Sequence, residues 1–215
     1  FGLAQRFEEE DAPPLYQPPG LLRPWLSSAP RLDPQSASAV HRALARFWRE
    51  CFEKDREREL RVPIDLELIV SRTHAQAAED WVTFRWATVR LARALERRSQ
   101  YHEALTLLEG VPEPERDGEC WLTIASSESQ LAHWKASRAH VELAIPLLPE
   151  LSKELAAAWH NLATIDLNEG DYPAAREKFG KSLKIKQNIG DRGGEAATWH
   201  QLASIDLNEG DYPAG

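Results

Sequence analysis

The chain has 215 residues, of which 26 are Lys or Arg and 34 are Asp or Glu, giving a formal charge of −8. An acidic chain with a pI ≈ 5.4 argues against a general nucleic-acid footprint, and no apolar run approaches the roughly twenty residues of a membrane span. Cys51 and Cys120 lie far apart with no partner motif, which fits a reducing cytosol and supports neither a disulfide framework nor a zinc site. Without a single methionine, opening on Phe1 and stopping at Gly215 partway through a repeat, the sequence reads as a piece of a longer cytoplasmic protein.

Residues 1–34 differ from the rest. Phe1 to Phe7 reads as a helix end running into a strand, and Glu8 to Pro14 is polar and Pro-containing, a loop tip. Leu15-Tyr16-Gln17 reads as a returning strand, with a short helix at Leu21-Leu22-Arg23-Pro24-Trp25-Leu26. Strand, acidic loop, strand and helix resemble the end of a winged-helix domain. Together with His41-Arg42-Ala43-Leu44-Ala45-Arg46-Phe47-Trp48, the Leu21–Leu26 segment resembles the stretch that follows the nucleotide-binding core in bacterial signal-transduction ATPases with numerous domains (the STAND and NB-ARC class). That resemblance covers about the first sixty residues and implies a sensor attached to an ATPase. A segment capping the first apolar face of the remainder is the alternative.

Residues 35–80 read as a helical arm. Arg31 to Ser38 is a linker, and a helix follows from Ala37 to about Leu60 with Val40, Leu44, Phe47, Trp48 and Cys51 on one face. The alternating charges from Glu53 to Glu59 suit a solvated face with i,i+4 pairs, and Pro63 ends the helix. Leu66 to Ala78 and Trp81 to Arg98 read as further helices.

The strongest signal is a repeat. Trp159–Ala174, WHNLATIDLNEGDYPA, returns at Trp199–Ala214 as WHQLASIDLNEGDYPA, fourteen of sixteen positions matching at a spacing of forty. A period of this size marks a stacked supersecondary unit. Trp159, Leu162, Ala163, Ile165 and Leu167 give one helix a broad apolar face, Gly170 stops it, and Asp171 caps the next, with Pro173 in its first turn. The second helix runs to Gly190 with Ala175, Phe179 and Leu183 inward and Lys178, Lys181 and Lys184 largely outward. Shifts of 38 and 71 residues thread degenerate copies backward, giving hairpins at about 82–110, 119–148 and 157–190 and a truncated one at 196–215.

Trp159, Leu162, Ala163, Gly170, Tyr172, Ala175, Phe179 and Ser182 fall where the tetratricopeptide repeat expects its signature residues. The forty-residue period and the loop Gly190-Asp191-Arg192-Gly193-Gly194-Glu195-Ala196 are similar to the longer bacterial class of that repeat. The resemblance implies an all-α, right-handed α-hairpin (TPR-like) solenoid whose first helices line a concave groove.

No catalytic constellation emerges. Gly180-Lys181-Ser182 imitates a phosphate-binding loop, but the first glycine of that motif would sit at Ala175 and the triplet lies inside a helix. No metal, cofactor or catalytic residue is expected. By the family resemblance the groove is lined by Arg93, Arg97, Ser126, Gln130, His160, Thr164, Asn168, His200, Ser204 and Asn208. A basic end grading into amides and imidazoles suits a protein or peptide segment carrying acidic and polar groups. The expected function is therefore protein interaction or ligand sensing, with possible self-association through the C-terminal repeat face. A nucleic-acid-binding helical repeat or a regulatory spacer is the alternative, and membrane contact is not expected.

Overall fold

The computed structural model describes residues 5–7, 15–17, 33–55 and 64–209. The chain divides into two compact units, Phe1–Val40 and His41–Gly215. In the first, strands β1 (Gln5–Phe7) and β2 (Leu15–Gln17) pair antiparallel with Arg6 opposite Tyr16. The helix expected at Leu21–Leu26 and the charged run from Arg56 to Glu59 lie outside the described residues.

Helix α1 (Pro34–Asp55) starts earlier than its sequence suggests, inside the expected linker. The reason is local: Pro34 is tolerated in a first turn, and the Asp33 carboxylate accepts from the Ser36 backbone N–H (3.0 Å) and from the Ser36 hydroxyl (2.5 Å). Its buried stripe also differs from the expectation. Ala45 and Phe52 are buried, whereas Val40 and Phe47 are 45% and 56% exposed. Helices α2 (Ile64–Ala77) and α3 (Trp81–Glu96) follow. Ser71 on α2 donates to the Ala45 carbonyl (2.9 Å), and Phe52 meets Trp86 of α3 edge to face at 5.5 Å.

Six further helices complete the described chain: α4 (Tyr101–Glu109), α5 (Gly118–Gln130), α6 (Trp134–Ala144), α7 (Lys153–Glu169), α8 (Tyr172–Ile189) and α9 (Arg192–Glu209). From α2 onward each packs on its successor, and α3 with α5 and α5 with α7 also touch, so the first helices α3, α5 and α7 form one row. This is an α-hairpin solenoid. One apolar cluster runs from Ala45 through Phe84, Leu108, Trp121 and Val141 to Leu162, and another joins Ala163, Ala175, Phe179 and Ile205.

The turns follow a rule visible only in part from the sequence. Gly170 and Gly190 close α7 and α8 at φ 82° and 70°, and the Asp171 side chain accepts from the Ala174 N–H, as expected. In the degenerate hairpins the same left-handed position is filled by Glu79, Ser99 and Ala132, at φ 52°, 59° and 59°. A side chain there costs roughly 1–2 kcal/mol that glycine avoids.

Charges cross between units at matching positions. Arg138 on α6 binds Asp166 (2.7 Å) and Glu169 (2.6 Å) of α7, and Arg176 on α8 binds Asp206 (2.7 Å) and Glu209 (2.6 Å) of α9. Lys178, expected outward, turns in to pair with the second oxygen of the buried Asp166, whose first is held by Arg138, because a buried carboxylate oxygen without a partner would be costly. Within the α5–α6 hairpin, Glu128 and His140 form the corresponding pair at 2.7 Å.

Candidate protein-binding groove

Where α3 and α5 run side by side, Arg93, Glu96, Arg97, Tyr101, Ser126 and Gln130 line a surface cavity of about 370 Å³. The spacing explains the convergence. Arg93, Glu96 and Arg97 stand at i, i+3 and i+4 near the end of α3, and Ser126 and Gln130 at i and i+4 on α5. Tyr101 arrives as the first residue of α4, directed by the left-handed turn at Ser99. Four of the ten expected groove residues thus share one pocket with Glu96, which the same register on α3 places beside them, while Tyr101 joins unforeseen.

The pocket's polar groups are partly pre-engaged. Arg93 Nη1 lies 2.6 Å from Glu119 Oε1, pinning one guanidinium between α3 and α5. Arg97 is exposed. Glu96 Oε1 accepts from the Ser127 hydroxyl at 2.9 Å. Burial raises the Glu96 carboxyl above its usual range, against the opposite pull of the Ser127 and Ser126 hydroxyls and then of Arg93 and Arg97. The result is a cavity rich in donors, two guanidinium groups, an amide, a hydroxyl and a phenol, with one half-buried carboxyl among them.

The remaining expected residues are strung along α7 and α9. Thr164 donates its hydroxyl to the His160 carbonyl (2.9 Å), and Ser204 does the same to the His200 carbonyl (2.9 Å). The exposed Asn168 donates its amide to the Thr164 carbonyl (2.7 Å), which leaves its side-chain oxygen as an acceptor. His160 is turned toward α8: its ring meets Phe179 at 5.0 Å, and Lys186 Nζ lies 3.5 Å from its Nδ1. Burial, with Lys186 next, lowers its pKa to about 4. Val89 and Leu122, which match His160 under the shifts of 71 and 38 residues, are buried, so on α3, α5 and α7 this position serves packing within the hairpins. His200 and Asn208 are exposed.

A larger, shallow depression of about 750 Å³ lies at the α5–α6 turn, lined by Ala132, Trp134, Ala136 and Ala139 among others. Its surface is mostly apolar, with His133, Lys135 and Glu169 among its lining residues. Gly180, Lys181 and Ser182 lie inside α8, and Ser182 donates its hydroxyl to the Ala156 carbonyl (2.7 Å), which is packing rather than phosphate chemistry. Burial pushes the Cys120 thiol up to about 12, which makes it a poor nucleophile. Among the described residues no group of three or more His, Cys, Asp or Glu could hold a metal ion. No described helix is long and apolar enough to cross a membrane.

No protein-family profile matches the chain. No curated protein matches it either. Solved structures of similar shape include the Sgt2 TPR domain from Aspergillus fumigatus, with 19% identity, a TM-score of 0.44 and coverage of 60% of this chain and 83% of that one. BtubC (BKLC) from P. vanneervenii has 15% identity and a TM-score of 0.43 over 83% and 68% of the two chains. The MamA protein has 12% identity and a TM-score of 0.48 over 80% and 97%. At these values the likenesses carry no functional argument, and the repeat architecture stands on the hairpins described above.

Proposed function

We propose that the chain is a protein-interaction module whose concave row of first helices binds an acidic, polar segment of a partner protein. The single observation that carries this reading is the α3–α5 cavity, where Arg93, Arg97, Ser126 and Gln130 converge although they come from different hairpins. Folding and recognition use separable residues: the apolar cluster holds the scaffold, while these polar side chains stand on its surface. Asn168, His200 and Asn208 extend the binding track toward α9. The resemblance of Leu21–Leu26 and His41–Trp48 to signalling ATPases supports a wider role as the cytoplasmic sensor part of a bacterial protein of that class, non-enzymatic in itself.

The test is selection from a random peptide library displayed on phage against the intact chain. The reading expects recovered peptides enriched in Asp and Glu, and binding at least tenfold weaker to the Arg97→Ala, Gln130→Ala double variant with circular dichroism unchanged. Arg97 is the cleaner probe, because removing Arg93 also breaks its pair with Glu119. Peptides without acidic enrichment, or equal binding to the double variant, would move the site off the cavity.

A further inference from the structure

One outward stripe of α3 carries Val82, Trp86, Arg90, Arg93 and Arg97, with Val82 and Arg97 exposed and the others half-buried. Only some of its guanidinium groups are committed. Arg93 is held by Glu119 of α5 at 2.6 Å, and Arg49 of α1, 4.8 Å from the Trp86 ring, is held by Glu53 at 3.2 Å. Arg90 lies 4.4 Å from the same ring and donates to the Trp86 carbonyl of its own helix (3.3 Å). Among the described residues neither Arg90 nor Arg97 forms an ion pair. Burial lowers the Arg90 pKa against the pull of Glu119, while Arg93 and Arg49 add to burial and Glu53 opposes it. An anion set beside Arg90 would offset both its burial and the repulsion of its neighbours.

The surplus positive charge is confined to this line. Glu53 stands on its α1 side and Glu119 on its α5 side. Between α1 and the start of α3, a cavity of about 480 Å³ sets Arg46 and Arg49 against Glu50, Glu53 and Asp80. An acidic chain that crosses the helices meets those carboxylates. One that lies along α3 meets Arg97 and then Arg90.

We propose that the acidic partner segment of the groove reading, on which this inference rests, lies along α3 in a polyproline II conformation, with two carboxylates three residues apart on Arg97 and Arg90. Two turns of α3 separate these arginines, about 10.5 Å at 1.5 Å per residue, and their side chains lean the same way, so their tips keep that spacing. A polyproline II chain has three residues per turn and rises about 3.1 Å for each, which puts i and i+3 on one face about 9.3 Å apart. On one face of a β-strand the available spacings are about 6.8 and 13.6 Å. A helix presents i and i+7 at the right distance, but at about 10–12 Å across it is too bulky for a cavity of about 370 Å³.

The test uses fluorescein-labelled oligoproline peptides with two Asp residues at i and i+2, i and i+3, or i and i+4, and a single-Asp peptide as reference. Each is titrated with the full chain and followed by anisotropy. The i, i+3 peptide is expected to bind about fivefold tighter than the other three, the scale of one partly exposed charge pair. Arg90→Gln, which keeps an aliphatic stem on Trp86, should remove that preference and leave the single-Asp peptide unaffected, whereas Arg90→Lys should retain it. Circular dichroism checks that both variants fold. Affinity that ignores the Asp spacing, or a spacing preference that survives Arg90→Gln, overturns the proposal. If acidic peptides from the phage selection bind through Arg97 while no oligoproline peptide binds, this proposal fails alone. If those selected peptides fail as well, the groove reading falls and this inference with it.

Discussion

Asp166 and Asp206 occupy the same repeat position in different surroundings, and this makes them a controlled experiment. The Asp166 side chain is 3% exposed and holds two cations, Arg138 and Lys178, whereas the Asp206 side chain is 45% exposed and, among the described residues, binds Arg176 alone. Replacing Asp166 by Ala leaves Arg138 and Lys178, 28% and 21% exposed, without the anion between them. Removing one partner of a buried pair costs about 3–5 kcal/mol. Glu169 still holds Arg138 and both cations keep some water, so the expected loss is at the lower end, about 3 kcal/mol. Asp206→Ala removes a half-exposed contact worth about 0–1 kcal/mol. Urea unfolding followed by circular dichroism reads both, with the slopes compared to check that the transition keeps its cooperativity. Equal losses, or a loss below about 1 kcal/mol for Asp166→Ala, would refute the idea that the inward carboxylate fastens neighbouring units.

Three other outcomes follow from particular residues. Since the folded pKa of His160 is lowered to about 4, the unfolded chain takes up a proton below pH 6.5 that the folded chain refuses. Stability should therefore fall between about pH 6.5 and 4, by up to about 3 kcal/mol, and His160→Gln should flatten that part of the profile in paired urea melts. Ala132→Gly and Ser99→Gly should each stabilise by about 0.5–1 kcal/mol, measured as a raised urea midpoint, because they relieve a left-handed side chain while adding some unfolded-state entropy. Trp121, only 7% exposed, should cost about 3–5 kcal/mol when changed to Ala, whereas the same change at the exposed Trp199 should shift the melt by less than about 1 kcal/mol.

The near-identical repeat made the last hairpins legible in detail. Gly170, Asp171, Pro173 and Gly190 each have a backbone role that their residue type announces, and the structure gives them those roles. The degenerate hairpins were legible only through their apolar positions, since Glu79, Ser99 and Ala132 fill turns where glycine would have been the signal. On α1 the expected stripe from Val40 to Cys51 was displaced by Ala45 with Phe52, because α2 and α3 approach from that side. The inward turn of Lys178 and the burial of Lys186 escaped notice for a related reason. Their partners, Asp166 on the facing helix and Thr198 on the next unit (2.8 Å), are set by packing that periodicity along one helix does not encode. In the candidate groove the arginines, Ser126 and Gln130 could be placed by register. The register also reached Glu96, but not its engagement, because that depends on Ser127 of the neighbouring first helix.

The central claim is that the α3–α5 cavity is where a partner segment binds. Hydrogen–deuterium exchange of the intact chain, with and without an acidic peptide recovered from the phage selection, tests it most directly. The account predicts slowed exchange centred on Arg93–Arg97, the start of α4 at Tyr101 and Ser126–Gln130, with α6 and α8 unchanged. Slowing confined to those second helices, with the cavity residues unaffected, would contradict it.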